Sequence, residues 1–261
     1  MMSPGNTVRR SFDRAGASYD AAAVLQTVAR ESLLRRLDLA NMVPEVILDA
    51  GAGTGHASEA LQRRFPESQV IALDSAFGML RAADRRGSVR GFHLLCADAE
   101  HLPLVAGSVD LIVSNLMLQW CNPDAVFTEF RRVLAPHGRV GFTTLGPGTL
   151  HELRAAWAAV DSNSHVNRFI AMHDLLAALA RAGLESPLLD IERHTVTYTK
   201  VYELAMDLKA IGAQSITAGR SKGLTGPRKF AAMEAAYEAF RCSGRLPATY
   251  EVIFGQVRAP P

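Results

Sequence analysis

Apolar residues recur along this chain in two alternating rhythms. The run Val46-Ile47-Leu48-Asp49-Ala50 is short and nearly continuous, and it ends in a glycine cluster followed by a helical segment. That is the pattern of a strand buried on both faces, a turn and a helix. Similar runs at residues 69–74, 92–97, 110–115 and 139–144 predict four more strands. Between them, three-to-four spacing predicts helices over 77–85 and 123–134, with His137-Gly138 as stop and turn. Upstream, Val24, Leu25, Val28, Leu33, Leu34 and Leu37 fall close to one stripe of a helix over 18–38. Residues 1–15 are polar and Arg-bearing and are expected to be mobile. Strands alternating with helices imply an α/β fold, a doubly wound sheet covered on both faces. Right-handed crossovers place the loops after strands one to four along one edge, where such sheets bind ligands.

After residue 145 the rhythm breaks. Gly146-Pro147-Gly148 opens an insertion with a helix near 149–160 and a polar loop to about 171. A helix over 172–182, stopped by Gly183, and a strand over 188–198 resume the core. A second insertion over 200–245 reads as mostly helical, interrupted near 221–227, before a last strand at 249–257. The expectation is a single domain over 1–261. Its core is 41–145, 172–199 and 246–261, and 1–40, 146–171 and 200–245 serve as lid elements over the ligand edge.

Composition changes this picture little. Of 261 residues, 48% are hydrophobic and 21% charged, with a formal net charge of +2, so charge alone implies no polyanionic partner. Cys96, Cys121 and Cys242 are widely spread and form no CxxC pair, which argues against a disulfide framework or a metal site. The first residues lack the apolar stretch of a secretory signal, and no apolar run is long enough to span a bilayer. The expectation is a cytoplasmic protein with reduced thiols.

Candidate chemistry gathers at the strand ends. In Asp49-Ala50-Gly51-Ala52-Gly53-Thr54-Gly55 the glycines remove Cβ atoms where a ligand approaches the backbone. A dinucleotide site would place glycine at 56, where His56 stands. The G-x-G-x-G spacing, with an acid two residues earlier, points instead to a ligand with an amino-acid tail whose ammonium Asp49 helps to hold. Asp74 ends the second strand, where a carboxylate accepts from a ribose diol. Asp98 suits an exocyclic adenine amino group, and Met79 and Leu80 offer apolar contact to the ring. A lone glycine loop is often only a tight turn, and Asp74 alone would serve as a helix cap. Three acids and three glycines at successive strand ends make the ligand reading the stronger.

These residues, with Ala97-Asp98-Ala99-Glu100 and Asp110-Leu111-Ile112-Val113-Ser114-Asn115, resemble class I S-adenosylmethionine-dependent methyltransferases. The resemblance implies a seven-stranded, mostly parallel Rossmann-like sheet with an antiparallel last strand. Further stretches resemble the malonyl-acyl carrier protein O-methyltransferases of biotin synthesis. They include Tyr19-Asp20, Ser114 to Trp120, Leu145 to Leu150, His165-Val166-Asn167-Arg168-Phe169, Leu208 to Ala213, Gly223-Leu224-Thr225-Gly226 and Gly244 to Val252. The likeness runs from about residue 8 to the end and covers both insertions. It departs at Ala52, where that family commonly has Cys, and at Val109, often aromatic there.

The reaction implied is attack of a malonyl carboxylate on the sulfonium methyl group, giving the methyl ester that primes pimeloyl and biotin synthesis. A carboxylate is already ionised at neutral pH and needs no general base. Alignment and desolvation then carry the catalysis. Arg168 is the leading candidate to grip one carboxylate oxygen, with His165 assisting. Tyr19 and Trp120 are expected to wall the methyl group, and Asn115 and Gln119 to donate hydrogen bonds to substrate or cofactor tail. Lys209, Arg220, Lys222, Arg228 and Lys229 are candidates to dock an acidic carrier protein, or coenzyme A in its place. A methyltransferase of another small acid or a quinone precursor is the alternative. A nucleic-acid enzyme is disfavoured, because no basic stripe with interleaved aromatics is present. A non-catalytic binding module would not need the acids at 49, 74 and 98. Oligomeric state is not fixed by the sequence.

Overall fold

A computed structural model describes residues 4–16, 19–37, 39, 42–86, 92–211, 213 and 226–261. Seven strands form one sheet in the order β3-β2-β1-β4-β5-β7-β6. In chain order they are β1 (Val46–Ala50), β2 (Gln69–Asp74), β3 (Phe92–Cys96), β4 (Val109–Asn115), β5 (Leu134–Leu145), β6 (Glu185–Tyr198) and β7 (Leu246–Arg258). β1 pairs in parallel with β2 and β4, while β7 runs antiparallel to both β5 and β6. The strand order therefore reverses between β1 and β4, and a crevice opens there at the carboxyl ends.

Period-two alternation feeds two cores. Ile47, Leu111 and Val113 point to one face, Leu48 and Ile112 to the other, all at 0% exposure. The first face packs on α3 (Val24–Arg36) and α4 (His56–Arg64). Beyond them lie α7 (His151–Ala158), α9 (Val201–Ala210) and α10 (Pro227–Tyr237). The second face packs on α6 (Pro123–Val133) and α8 (Met172–Arg181), where Phe127, Phe130 and Leu175 are fully buried. Burying each such side chain contributes about 1.5–3 kcal/mol. Asn122 caps α6, its side chain accepting from the Asp124 amide at 3.1 Å, with Pro123 at the first helical position. No helix among the described residues is long and apolar enough to cross a membrane.

Three differences from the sequence pattern matter for function. Residues 4–15 form a helix, α1, docked on α5 (Phe77–Arg86). Its Phe12 and Ala15 pack with Tyr19, Ala76 and Met79, and the Asp13 carboxylate accepts from the Gly78 amide at 2.9 Å. The contact is so close that a Cβ on Gly78 would lie 2.2 Å from the Asp13 carbonyl oxygen. The helix expected over 18–38 is broken at Ala23 into α2 (Tyr19–Ala22) and α3. Finally, α6 ends at Val133 and β5 begins at once. The turn at His137-Gly138 is a bend inside that strand, with His137 at φ 62° and the β4–β5 register shifting beside it.

Candidate functional site

The tips of β1, β2, β3 and β4 converge on a cavity of about 720 Å³, within the size range of small-molecule sites. Gly51, Gly53, Asp74, Ala97, Asp98 and Asn115 contribute from those tips. Aromatic and aliphatic residues from elsewhere close it: Phe12, Tyr19, Trp120, Leu150, Trp157, Phe169 and Tyr250. A second hollow of about 50 Å³ shares the walls Tyr19, Gln26, Gly51, Gly53 and Asn115 and adds Asp49 and Arg30.

The glycine loop is shaped by the strand beside it. The amides of Gly51 and Ala52 both donate to the Leu73 carbonyl, at 2.8 and 2.9 Å, folding the chain back over β2. Gly53 sits at φ 56° with open space where a Cβ would stand, and its amide donates to Asp74 Oδ2 at 2.9 Å. Gly51, at φ 77°, has the Met117 side chain at 2.5 Å from a notional Cβ. Gly55 lines neither cavity; it precedes α4 in a left-handed conformation and packs toward Ala83 and Phe92. Its absent Cβ serves helix packing rather than ligand approach, a correction to the expectation.

Two carboxylates stand at the crevice, Asp49 buried and Asp74 half-buried. Asp74 accepts from the Ala76 amide at 2.8 Å as well as from Gly53, and burial shifts it above the usual carboxylate range. Asp49 is 1% exposed, and Ser58 Oγ donates to its Oδ2 at 2.5 Å. Burial lifts its pKa to about 6. Its Oδ1 is buried without a hydrogen-bond partner, and so is Gln26 Oε1, another wall of the small hollow. Two unpaired acceptors beside the Arg30 guanidinium match an α-amino acid zwitterion, ammonium toward the acceptors and carboxylate toward Arg30. Orphaned buried acceptors cost about 1–3 kcal/mol each until something donates to them. Asp98 is exposed on the cavity edge, its Oδ1 accepting from the Glu100 amide at 3.0 Å, and Met79 is buried in the wall at 1% exposure. These residues fit an adenosyl amino acid.

Other expected residues fall in different places. Asn115 lines both hollows, yet its amide nitrogen donates to the Gln26 carbonyl at 3.0 Å and its Oδ1 accepts from Thr143 Oγ1 at 2.8 Å. It ties α3 to β4, leaving one N–H for a ligand. Gln119 lines the cavity while donating to the Leu116 carbonyl at 2.6 Å. Trp120 lies edge-on to Phe12, centroids 5.4 Å apart. Tyr19 is a wall of both hollows, and burial, with Asp74 nearby, pushes its phenol well above the usual range. It stays a neutral donor. His165 stacks flat on Trp157 at 3.8 Å, with Nε2 2.8 Å from Asp161 Oδ1.

Arg168 does not reach the cavity: it is exposed, while His165, Val166, Asn167 and Phe169 line the wall. Burial of Val166 in the core at 6% exposure sets the direction of this irregular segment and turns Arg168 outward. Lys229 Nζ bonds Asp161 Oδ2 at 2.8 Å, so it is engaged by the first insertion. Together Lys229 and His165 hold the Asp161 carboxyl well below its usual range. Arg228 is exposed, Lys209 is exposed on the cavity rim, and Arg220 and Lys222 lie outside the described residues. Cys121 also lines the cavity, but burial pushes its thiol up to about 12, leaving it inert. No cluster of three metal-ligating side chains occurs among the described residues.

Several wall residues carried no signal in the sequence pattern: Arg9 and Phe12 of α1, and the left-handed Leu116 (φ 50°) and Leu150 (φ 52°). Non-glycine residues rarely adopt that conformation, and such strain gathers at binding sites. The Leu116 amide is held by Thr143 and the Leu150 amide by the Thr249 carbonyl at 2.6 Å.

Comparison with known proteins places the chain's family and fold. Residues 48–142 match a family described as a methyltransferase domain. The chain is 51% identical to a malonyl-[acyl-carrier protein] O-methyltransferase of Methylovorus sp., covering 97% of this chain and 88% of that protein. A protein of the same name from Laribacter hongkongensis is also 51% identical, covering 97% and 89%. A biotin biosynthesis bifunctional protein, BioHC, of Saccharophagus degradans is 41% identical over 96% of this chain and 46% of its own length. Among solved structures, the YcgJ protein of Bacillus subtilis superposes with a TM-score of 0.63 at 17% identity, covering 88% of this chain and 99% of that one. Geranyl diphosphate C-methyltransferase of Streptomyces coelicolor, solved with S-adenosyl-L-homocysteine, does so at 0.54 and 18%, covering 90% and 80%.

Proposed function

The chain belongs to the malonyl-[acyl-carrier protein] O-methyltransferase family, and from that premise we propose how its own residues divide the work. The enzyme methylates the free carboxylate of a malonyl thioester, a step of biotin synthesis. S-adenosylmethionine supplies an activated methyl group on a sulfonium centre. The observation that carries the assignment of cofactor residues is the pair of unpaired buried acceptors, Asp49 Oδ1 and Gln26 Oε1, beside Arg30. They take the ammonium end of the cofactor and Arg30 takes the carboxylate. Asp74 takes the ribose hydroxyls, Asp98 the adenine amino group, and Met79 packs on the ring.

The acyl end occupies the aromatic half of the cavity. Tyr19 is a half-buried phenol held above its usual range by desolvation, so it remains a hydrogen-bond donor at neutral pH, while Tyr250, buried in the same wall, is hydrogen-bonded to Tyr198. Neutral donors orient a carboxylate without quenching it, whereas a bidentate guanidinium would lower its nucleophilicity. Trp120, backed by Phe12, and the Trp157–His165 stack exclude water from the line of attack. No proton has to move, because the nucleophile is already an anion. Helices α1, α7 and α9 act as lids over this half.

The test is direct. Purified protein with S-adenosylmethionine is offered malonyl-carrier protein, malonyl-CoA and free malonate. S-adenosylhomocysteine release with a base-labile ester on the carrier substrate is the expected result. Turnover only on unrelated acids would overturn the substrate assignment and leave the cofactor site standing.

A further inference from the structure

We propose that the solvent-facing stripe of α9, made by Tyr202, Ala205, Met206 and Lys209, is the surface on which the carrier protein seats while its malonyl arm enters the cavity. The inference rests on the carboxyl-methylation reading above.

α9 buries Val201 and Leu204, each 2% exposed, in the core, and Leu208 packs beside them. At 100° per residue, positions 202, 205, 206 and 209 (i, i+3, i+4, i+7) form a second stripe turned about 120° from the buried one. A surface helix ordinarily places polar residues there. This one places Tyr202 at 58% and Met206 at 43% exposure, with exposed Ala205 between them. Tyr202 and Met206, one turn apart, form a small apolar strip on an outer face beside the cavity.

Its position identifies the partner. Ala205, Leu208 and Lys209 line the main cavity, so one edge of the stripe is the cavity mouth. The two acids of the helix keep their charge but do not line the cavity. Glu203 accepts from the Thr199 and Lys200 amides at 2.8 and 3.4 Å, and Asp207 is hydrogen-bonded to Tyr198. The cations Lys209 and Arg9 of α1, by contrast, are exposed residues of the cavity wall. An aromatic, a methionine and a flanking cation make the apolar centre and charged rim of a transient interface. They complement an acidic protein that delivers its cargo on a flexible arm. Coenzyme A offers the arm but no apolar surface to cover Tyr202 and Met206.

The test compares two substrates bearing the same reacting group: malonyl-carrier protein and the malonyl thioester of N-acetylcysteamine. Met206 and Tyr202 lie outside the cavity wall, so neither variant touches the reacting groups. Met206→Glu is expected to raise KM for the carrier substrate at least tenfold with kcat held, and to leave turnover of the small thioester as in wild type. Tyr202→Ala is expected to do the same more weakly. Unchanged carrier KM in both variants would overturn the proposal, as would equal loss on both substrates. A wild-type dimer that sediments as a monomer in Met206→Glu would assign the stripe to self-association and also overturn it. Absence of turnover by wild type on either substrate would sink the methylation reading itself.

Discussion

Replacing Asp49 with asparagine isolates what a buried carboxylate does for the cofactor's amino-acid tail. In the free protein burial lifts Asp49 from 3.8 to about 6, a shift worth about 3 kcal/mol. The sign follows from linkage: the folded pKa lies above the unfolded one. Stability is therefore complete below about 3.8 and is lost as pH rises through about 6. Above that pH the fold holds a desolvated anion with one unpaired oxygen, and an ammonium placed there relieves it. Binding then requires the ionised form. Apparent Kd should scale as one plus the ratio of protonated to ionised Asp49, roughly tenfold weaker at pH 5 than at pH 8. Calorimetric titration of S-adenosylhomocysteine between pH 5 and 8 measures this, with adenosine, which lacks the tail, as control. Asp49→Asn is expected to bind the homocysteine form about 10–100-fold more weakly at pH 8, the loss of a charge-assisted hydrogen bond of about 1.5–3 kcal/mol. It should also lose the difference in pH slope between the two ligands. The same slope with adenosine in wild type, or a retained difference in the variant, would refute this role of Asp49.

Gly78→Ala is expected to undock α1, because the new Cβ would lie 2.2 Å from the Asp13 carbonyl oxygen. Trypsin cleavage after Arg10 and Arg14 should accelerate while the thermal midpoint moves by only a few degrees; unchanged cleavage rates would contradict the docking. Arg168→Ala should keep kcat/KM for the carrier substrate within about twofold, since the side chain is exposed and off the cavity wall; a loss of tenfold or more would place it in the site.

The fold was legible where periodicity is strict. The boundaries of β1 and β2, and the start of α5, follow from runs buried on both faces and from the glycine and capping residues between them. The N-terminal helix was not, because its polar composition masks Val8, Phe12 and Ala15 at i, i+4 and i+7. What orders it is a tertiary contact, α1 lying flush on Gly78, which no local window reveals. At the site, the strand-end acids were readable because topology alone delivers strand ends to one edge. Arg168 was not, since side-chain direction in an irregular segment depends on which neighbour is buried, here Val166. Gln26 and Arg30 did leave a trace. They are polar, one helical turn apart, and flank the buried stripe of Leu25, Ala29 and Leu33, which a period-only reading counts as solvent-facing.

The distribution of charge around the cavity also implies an order of binding. Asp74, Asp98 and Glu100 line one end, while the cations Arg9 and Lys209 are exposed residues of the rim. The aromatic half between them offers a malonyl carboxylate a neutral donor, and the acids beyond repel it. The positive centre able to balance that repulsion is the sulfonium of the cofactor. Unit charges about 4 Å apart attract by about 4 kcal/mol at an effective dielectric near 20, much of it offset by desolvation. The malonyl thioester of N-acetylcysteamine should therefore bind about tenfold or more tightly when the cofactor site holds sinefungin, which carries an ammonium near the position of the sulfonium, than when it holds uncharged-sulfur S-adenosylhomocysteine. Methyl transfer removes both charges at once, the sulfonium becoming a thioether and the carboxylate an ester, so the interaction that holds the substrate is absent from the products. Equal thioester affinity with the two analogues would show that the walls, not the charge pair, hold the acyl group. Tyr19 would then have to supply the binding otherwise due to the sulfonium.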